Sequence, residues 1–198
     1  MALQSARLGC LQDMQGRASM FLTSVSGTLV ALGFLGAADH FGRGFVLSAV
    51  TLLATLWVVG FFTLLRIGQI DLEDAIITFG IARIRHRYTE IEPSLQDRFV
   101  RSIHDDLRGL SADMGGGNAR WWQGLMPTQS LVSFVASVIA GAEAAIIVTI
   151  TVHAPLLVVA VSGILAGAIN VLLFTRLTTK VWKNLEQHFP PHYPSPQK

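Results

Sequence analysis

The chain has 198 residues, 51% of them apolar and only 14% charged, with a mean hydropathy of +0.49. That balance excludes a single water-soluble domain, because so much apolar surface stays soluble only if it is gathered into runs that something other than water covers. The net charge is +2, and the single cysteine, Cys10, excludes an intramolecular disulfide and a cysteine-based zinc site.

Four runs of 20 to 22 residues carry the apolar character: Ala18 to Ala38, Phe45 to Leu65, Leu131 to Val152 and Leu156 to Thr175, with Glu143 their only charged residue. A helix rises about 1.5 Å per residue, so about 20 residues cross a hydrocarbon core of about 30 Å. The runs lack the alternation and shortness of membrane barrel strands. The expected fold is an all-α integral membrane protein. Its four transmembrane helices form two tight hairpins, with a cytoplasmic amphipathic helical hairpin between them.

Residues 1–17 place Leu3, Ala6, Cys10, Leu11 and Met14 at helical spacing. They predict a cytoplasmic amphipathic N-terminal helix that lies on the membrane or runs straight into the first span. The first span is too long for a cleaved signal peptide and a second follows at once. Cys10 precedes it, a position that permits palmitoylation, although a plain helix-surface cysteine is the commoner case. Residues 18–65 form transmembrane hairpin 1. Thr23, Gly27 and Ala31 recur every four residues on its first helix, a small-residue face that lets another helix approach closely. The link from Asp39 to Gly44 is short enough for a tight antiparallel turn.

Residues 66–129 are the sizeable polar segment. Asp71 is placed as a helix N-cap, with Glu73 and Asp74 in the first turn. That helix turns basic at Arg83-Ile84-Arg85-His86-Arg87, a run that suits anionic lipid or an acidic ligand but is more simply a solvated face. Pro93 breaks the pattern. Ser94 to Asp97 then resembles a capping box, and Leu95, Phe99, Ile103, Leu107 and Leu110 predict a second amphipathic helix packed on the first or on a neighbouring subunit. A glycine-rich connector leads to Trp121 and Trp122, which are placed as interfacial anchors before the third span. Residues 130–176 form transmembrane hairpin 2. Residues 177–198 are a cytoplasmic tail, with Leu177, Val181, Trp182, Leu185 and Phe189 on a short amphipathic helix and Trp182 again interfacial. The tail closes in an extended, disordered Pro190–Pro196 segment.

Fourteen of the fifteen Lys and Arg residues fall before the first span, between the second and third, or after the fourth, and only Arg43 falls elsewhere. By the positive-inside rule both termini and the central segment are cytoplasmic, the setting being a cell (plasma) membrane. The central segment carries nine acidic residues against eight arginines, so it is no polybasic nucleic-acid patch. Both hairpins enter from the same side, which excludes an inverted repeat.

Glu143 is the residue most suggestive of chemistry, since an ionisable side chain at mid-membrane is expensive and usually functional. The turn at His153-Ala154-Pro155 is so short that depths can be matched across the last hairpin. Glu143 then falls opposite Leu165, between Gly163 and Gly167, with Ser133, Ser137, Gly141 and Ala145 as a small stripe. Asn170 falls nearer Ser137. Two readings stay open: an acidic ring about an oligomer axis, or a protonated carboxyl bonded to Thr28, Thr51 or Thr55. His104-Asp105-Asp106 and His86 lack the further ligands at helical spacing that a metal needs, so no metal site is expected and the residues read as solvated. The glycine run lacks a phosphate-loop lysine and no nucleophile elbow occurs, so neither an enzyme nor a cofactor is expected.

The stretches FLTSVSGTLVALGF, LRIGQIDLED, RIRHRY and HDD give the chain a layout that resembles small uncharacterised four-span membrane proteins of bacteria. The resemblance implies the four-span arrangement and no activity. Function is therefore expected from the residues alone. The first expectation is a homo-oligomeric membrane protein forming or gating an ion-conducting path, with Glu143, Asn170 and Ser137 as intramembrane polar residues and Gly163, Gly167, Gly141 and Gly27 as packing positions. The alternatives are a non-conducting membrane adaptor or signalling effector acting through residues 71–110, and a lipid or small-molecule carrier. The expected partners are the lipid bilayer, further copies of the chain and a cytoplasmic protein, without nucleic acid.

Overall fold

The computed structural model describes residues 2–113, 128–152 and 154–196. The described residues are helical throughout their ordered elements: α1 (Ala2–Asp39), α2 (Arg43–Ile91), a 3₁₀ turn (Pro93–Arg98), α3 (Leu107–Asp113), α4 (Thr128–Val152) and α5 (Leu156–His188). Four of these helices are long and apolar enough to cross a membrane, which makes the chain a multi-pass membrane protein.

The chain divides into two compact units. The apolar unit comprises Gln15–Ile67 and Thr128–Leu177. Its core includes Phe21, Leu53, Leu56, Leu64, Ile67, Val132, Ala136 and Ile139. Gly60 makes this packing possible: a Cβ there would meet the Phe21 ring at 2.9 Å and Ala136 at 3.4 Å, so α1, α2 and α4 converge on a bare backbone. Phe174 of α5 adds a ring contact to Phe61 at 5.9 Å. Between α1 and α2, His40 and Phe41 hold φ of 48° and 59°. Asp39 supports this left-handed pair, its carbonyl accepting from Gly42 N and its Oδ2 accepting from Phe45 N in the first turn of α2 at 2.7 Å.

The polar unit comprises Met1–Met14, Gly68–Pro127 and Thr178–Lys198. Its apolar cluster contains Ala75, Phe79, Leu110 and Leu185, with Leu72, Leu107 and Trp182 packed against it. Trp182 is thus a packing residue of this unit; Trp121 and Trp122 lie outside the described residues.

Three sequence expectations need correction here. Asp71 caps nothing, because α2 runs unbroken through it; no proline or glycine-rich break separates Leu65 from Leu72, so backbone hydrogen bonding simply continues. The second amphipathic helix does not form as expected. Residues 93–98 make a 3₁₀ turn with Pro93 at its start, residues 99–106 contain no helix, and only Leu107–Asp113 are α-helical. The tail segment Pro190–Pro196 is docked, its backbone donors held by Asp105 and Asp106.

Asp71 instead sits beside Asp74 on α2, beyond the apolar run that ends at Leu65. Burial, helped by the Asp74 charge, pushes its carboxyl up from 3.8 to about 6. Asp74 is occupied by Arg7 at 2.9 Å. An acid whose folded pKa exceeds its unfolded value stabilises the fold least when ionised. Stability contributed at Asp71 is therefore greatest below about pH 4 and falls as pH rises through 6. Asp71→Asn is expected to stabilise the protein by about 2 kcal/mol at pH 8, allowing for partial exposure, and to flatten the dependence between pH 4 and 7. Thermal unfolding in detergent across that range checks both effects.

Candidate functional site

Two places gather polar side chains, and they differ in how far the structure completes them. In the apolar unit, Ser137 Oγ lies 2.7 Å from the Ser133 carbonyl and 3.1 Å from Asn170 Oδ1, and both Ser137 and Asn170 are buried. This pair links α4 to α5 beside a glycine crossing. A Cβ on Gly141 would meet the Gly163 carbonyl oxygen at 2.7 Å, and one on Gly167 would meet the Ser137 carbonyl at 3.1 Å. Gly27 differs, because nothing among the described residues lies within 4 Å of a Cβ built there. Glu143 is partly buried, and the described residues offer it no hydrogen bond. Thr51 and Thr55 donate to the carbonyls of Leu47 and Thr51 in their own helix. The structure brings together Ser137, Asn170, Gly141, Gly163 and Gly167, and Gly27 takes no part in that crossing.

The polar unit holds a denser arrangement. Residues 99–106, between the 3₁₀ turn and α3, are non-helical, which lets Asp105 and Asp106 reach a common strip of backbone rather than different faces of a helix. Asp105 is 1% exposed. Its Oδ2 accepts from Arg83 Nε at 2.6 Å and from His192 N at 2.9 Å, and its Oδ1 accepts from Tyr193 N at 2.7 Å. Asp106 is the N-cap of α3: Oδ1 accepts from Gly109 N at 2.6 Å, in the first turn, and from Ser195 Oγ at 2.8 Å. Its Oδ2 accepts from Ser195 N at 2.7 Å. Burial by itself would raise both carboxyls. The backbone N–H donors outweigh it, with Arg83 helping at Asp105, and hold both below the usual aspartate range.

Carbonyls of the strip are held as well. Asp105 N donates to Tyr193 O at 3.3 Å, Arg83 to Pro190 O at 3.3 Å, and Arg108 to Pro196 O at 2.9 Å. The Tyr193 ring stacks on His86 with centroids 3.7 Å apart and planes 22° apart. His104 lies next to His86, at 6.5 Å between centroids, and the buried Nδ1 atoms of both rings have no hydrogen-bond partner among the described residues. Behind the site, Asp113 accepts from Ser102 N and from Arg85, whose guanidinium also reaches the Ser102 carbonyl at 3.0 Å. Gly109 is required by this tight return, since a Cβ there would stand 2.4 Å from the His104 carbonyl oxygen.

The basic run is therefore not merely a solvated face: Arg83 and Arg85 reach carboxylates 22 and 28 residues away, while Arg87 pairs with Glu90. Nor are Asp105 and Asp106 solvated, because the tail supplies their donors. No group of three or more candidate metal ligands occurs among the described residues. Sequence reasoning missed Asp105, Asp106, Tyr193 and Ser195 as a set, although one signal was present. An adjacent carboxylate pair and a terminal segment with few backbone donors are complementary inventories. Comparison with protein-family models, with curated proteins and with solved structures finds no match for this chain.

Proposed function

We propose that this multi-pass protein is a non-conducting adaptor or signalling effector of the plasma membrane, acting through residues 71–113 and the tail. Both termini and the polar unit lie on the cytoplasmic side. The distribution of Lys and Arg, with Arg43 alone elsewhere, supports that orientation and the pairing of α1 with α2 and of α4 with α5 as two membrane hairpins. One observation carries the functional reading: the polar unit contains a completed site that holds an extended peptide segment by its backbone. The membrane-crossing helices offer less. The buried polar pair found there among the described residues, Ser137 and Asn170, joins α4 to α5. Exposed apolar side chains in the polar unit, among them Ile84, Tyr88 and Ile91, supply surface for a protein partner.

A second reading, a homo-oligomeric ion-conducting path, is favoured by Glu143, a carboxyl in α4 without a hydrogen bond among the described residues. In α5 only 6% of the most apolar window is buried within the chain, which leaves room for a second copy as well as for lipid. Planar-bilayer recording on purified protein separates the two. The expected result is that wild type and Glu143→Gln are equally silent from about pH 4, near the ordinary glutamate value, to about pH 8 and at both voltage polarities. A current present in wild type and lost in Glu143→Gln overturns the adaptor reading in favour of conduction.

A further inference from the structure

Seven residues, Pro190 to Pro196, make up the docked strip, and four of them are proline. Proline has no N–H, so the strip owns only three backbone donors, those of His192, Tyr193 and Ser195. All three are accepted by Asp105 or Asp106. The match extends to the side chains, with Tyr193 flat on His86 and Ser195 Oγ on Asp106. Three of the strip's carbonyls accept from Arg83, Arg108 and the Asp105 amide. A strip recognised through its backbone donors and acceptors, one aromatic ring and one hydroxyl is held as a peptide ligand is held.

We propose that Arg83, His86, Asp105, Asp106 and Arg108 form a recognition site for extended, proline-interrupted peptides. Such a peptide carries an aromatic residue and, two positions later, an unmodified serine; the chain's own Pro190–Pro196 segment is the resident occupant. Partner segments of this chemistry enter by displacing the tail. The specificity follows from the site. Prolines on either side of the aromatic residue remove donors for which no acceptor exists, and pre-extend the peptide. The adjacent carboxylates reject a negatively charged peptide, and a phosphate on the serine would replace a donor with like charge facing Asp106. The biological purpose of the exchange rests on the adaptor reading, but the binding itself does not.

The test uses full-length protein in detergent and a fluorescent peptide of the sequence Pro-Pro-His-Tyr-Pro-Ser-Pro. His192→Pro combined with Ser195→Pro deletes two of the tail's own donors and vacates the site. The peptide is expected to bind this variant at least ten-fold more tightly than wild type, where the tethered tail competes at an effective concentration in the millimolar range. Adding Asp105→Asn and Asp106→Asn should abolish that gain, and phosphorylating the peptide serine should weaken binding at least ten-fold. Equal binding to wild type and tail variant, or binding indifferent to the aspartates or to the phosphate, overturns the proposal. A readout on unaltered protein guards against misfolding of the variant: excess peptide should accelerate hydrogen exchange of the His192, Tyr193 and Ser195 amides, and unchanged exchange at high peptide concentration overturns the proposal too. A chain that conducts ions and binds the peptide defeats the adaptor reading alone. A silent chain that ignores the peptide defeats this proposal alone.

Discussion

Asp105→Ala should release the tail and destabilise the fold by about 2–3 kcal/mol, the range for leaving buried donors without a charged acceptor, because Arg83 keeps partial access to water. The reason is what remains behind. Arg83 loses the acceptor of its Nε–H, and the amides of His192 and Tyr193 lose theirs together. Chemical denaturation in detergent measures the loss, and hydrogen exchange at His192 and Tyr193 locates it. Arg87→Ala is the control: Arg87 pairs with Glu90 on an exposed stretch of α2 and should leave the midpoint unchanged. The same clamp has a pH signature opposite to that of Asp71. Asp105 and Asp106 are held below the usual aspartate range. Their contribution is therefore complete above the unfolded value, near 3.9, and is lost as pH falls through their lower folded values. Tail docking should persist at pH 5 and fail in stronger acid. An Asp105→Ala protein with wild-type stability and tail protection would contradict the assigned role.

The second large effect is expected at the α4–α5 crossing. Gly141→Val places its Cβ 2.7 Å from the Gly163 carbonyl oxygen, a backbone atom that cannot rotate away. Overpacking of this kind costs about 3 kcal/mol, and separation of the helices would also strand the Ser137–Asn170 contact. Thermal unfolding in detergent should show a clear drop for Gly141→Val. Gly27→Val should show none, because a Cβ there meets nothing among the described residues within 4 Å. Size-exclusion chromatography on the second variant adds information: a changed oligomeric state with unchanged stability would place Gly27 between copies.

The membrane-crossing helices were legible because their signal is local. Twenty consecutive apolar residues state their length and solvent without reference to the rest of the chain. The relation of Ser137 to Asn170 was also within reach, since a short turn after Val152 fixes the register of α4 against α5. The polar unit was not legible in the same way. Leu95, Phe99, Ile103 and Leu107 recur every four residues, which reads as a helical stripe, yet residues 99–106 are not helical. Periodicity reports only local preference, and here contacts with residues 87 to 89 positions away compete with it. Nothing within a window around His104 announces that its neighbours will be buried by the end of the chain. For the same reason a proline-rich terminus, which composition marks as disordered, is docked: disorder is the default of such a segment only while its donors have nowhere to go.

The scarcity of N–H groups in Pro190–Pro196 also limits what else the segment can become. A strip that contains Pro190, Pro191, Pro194 and Pro196 cannot continue α5 as a helix, since a helix needs an N–H at every interior position. When released it has no helix to fall back into, so the order seen in this segment comes from its contacts with Asp105, Asp106, Arg83 and Arg108.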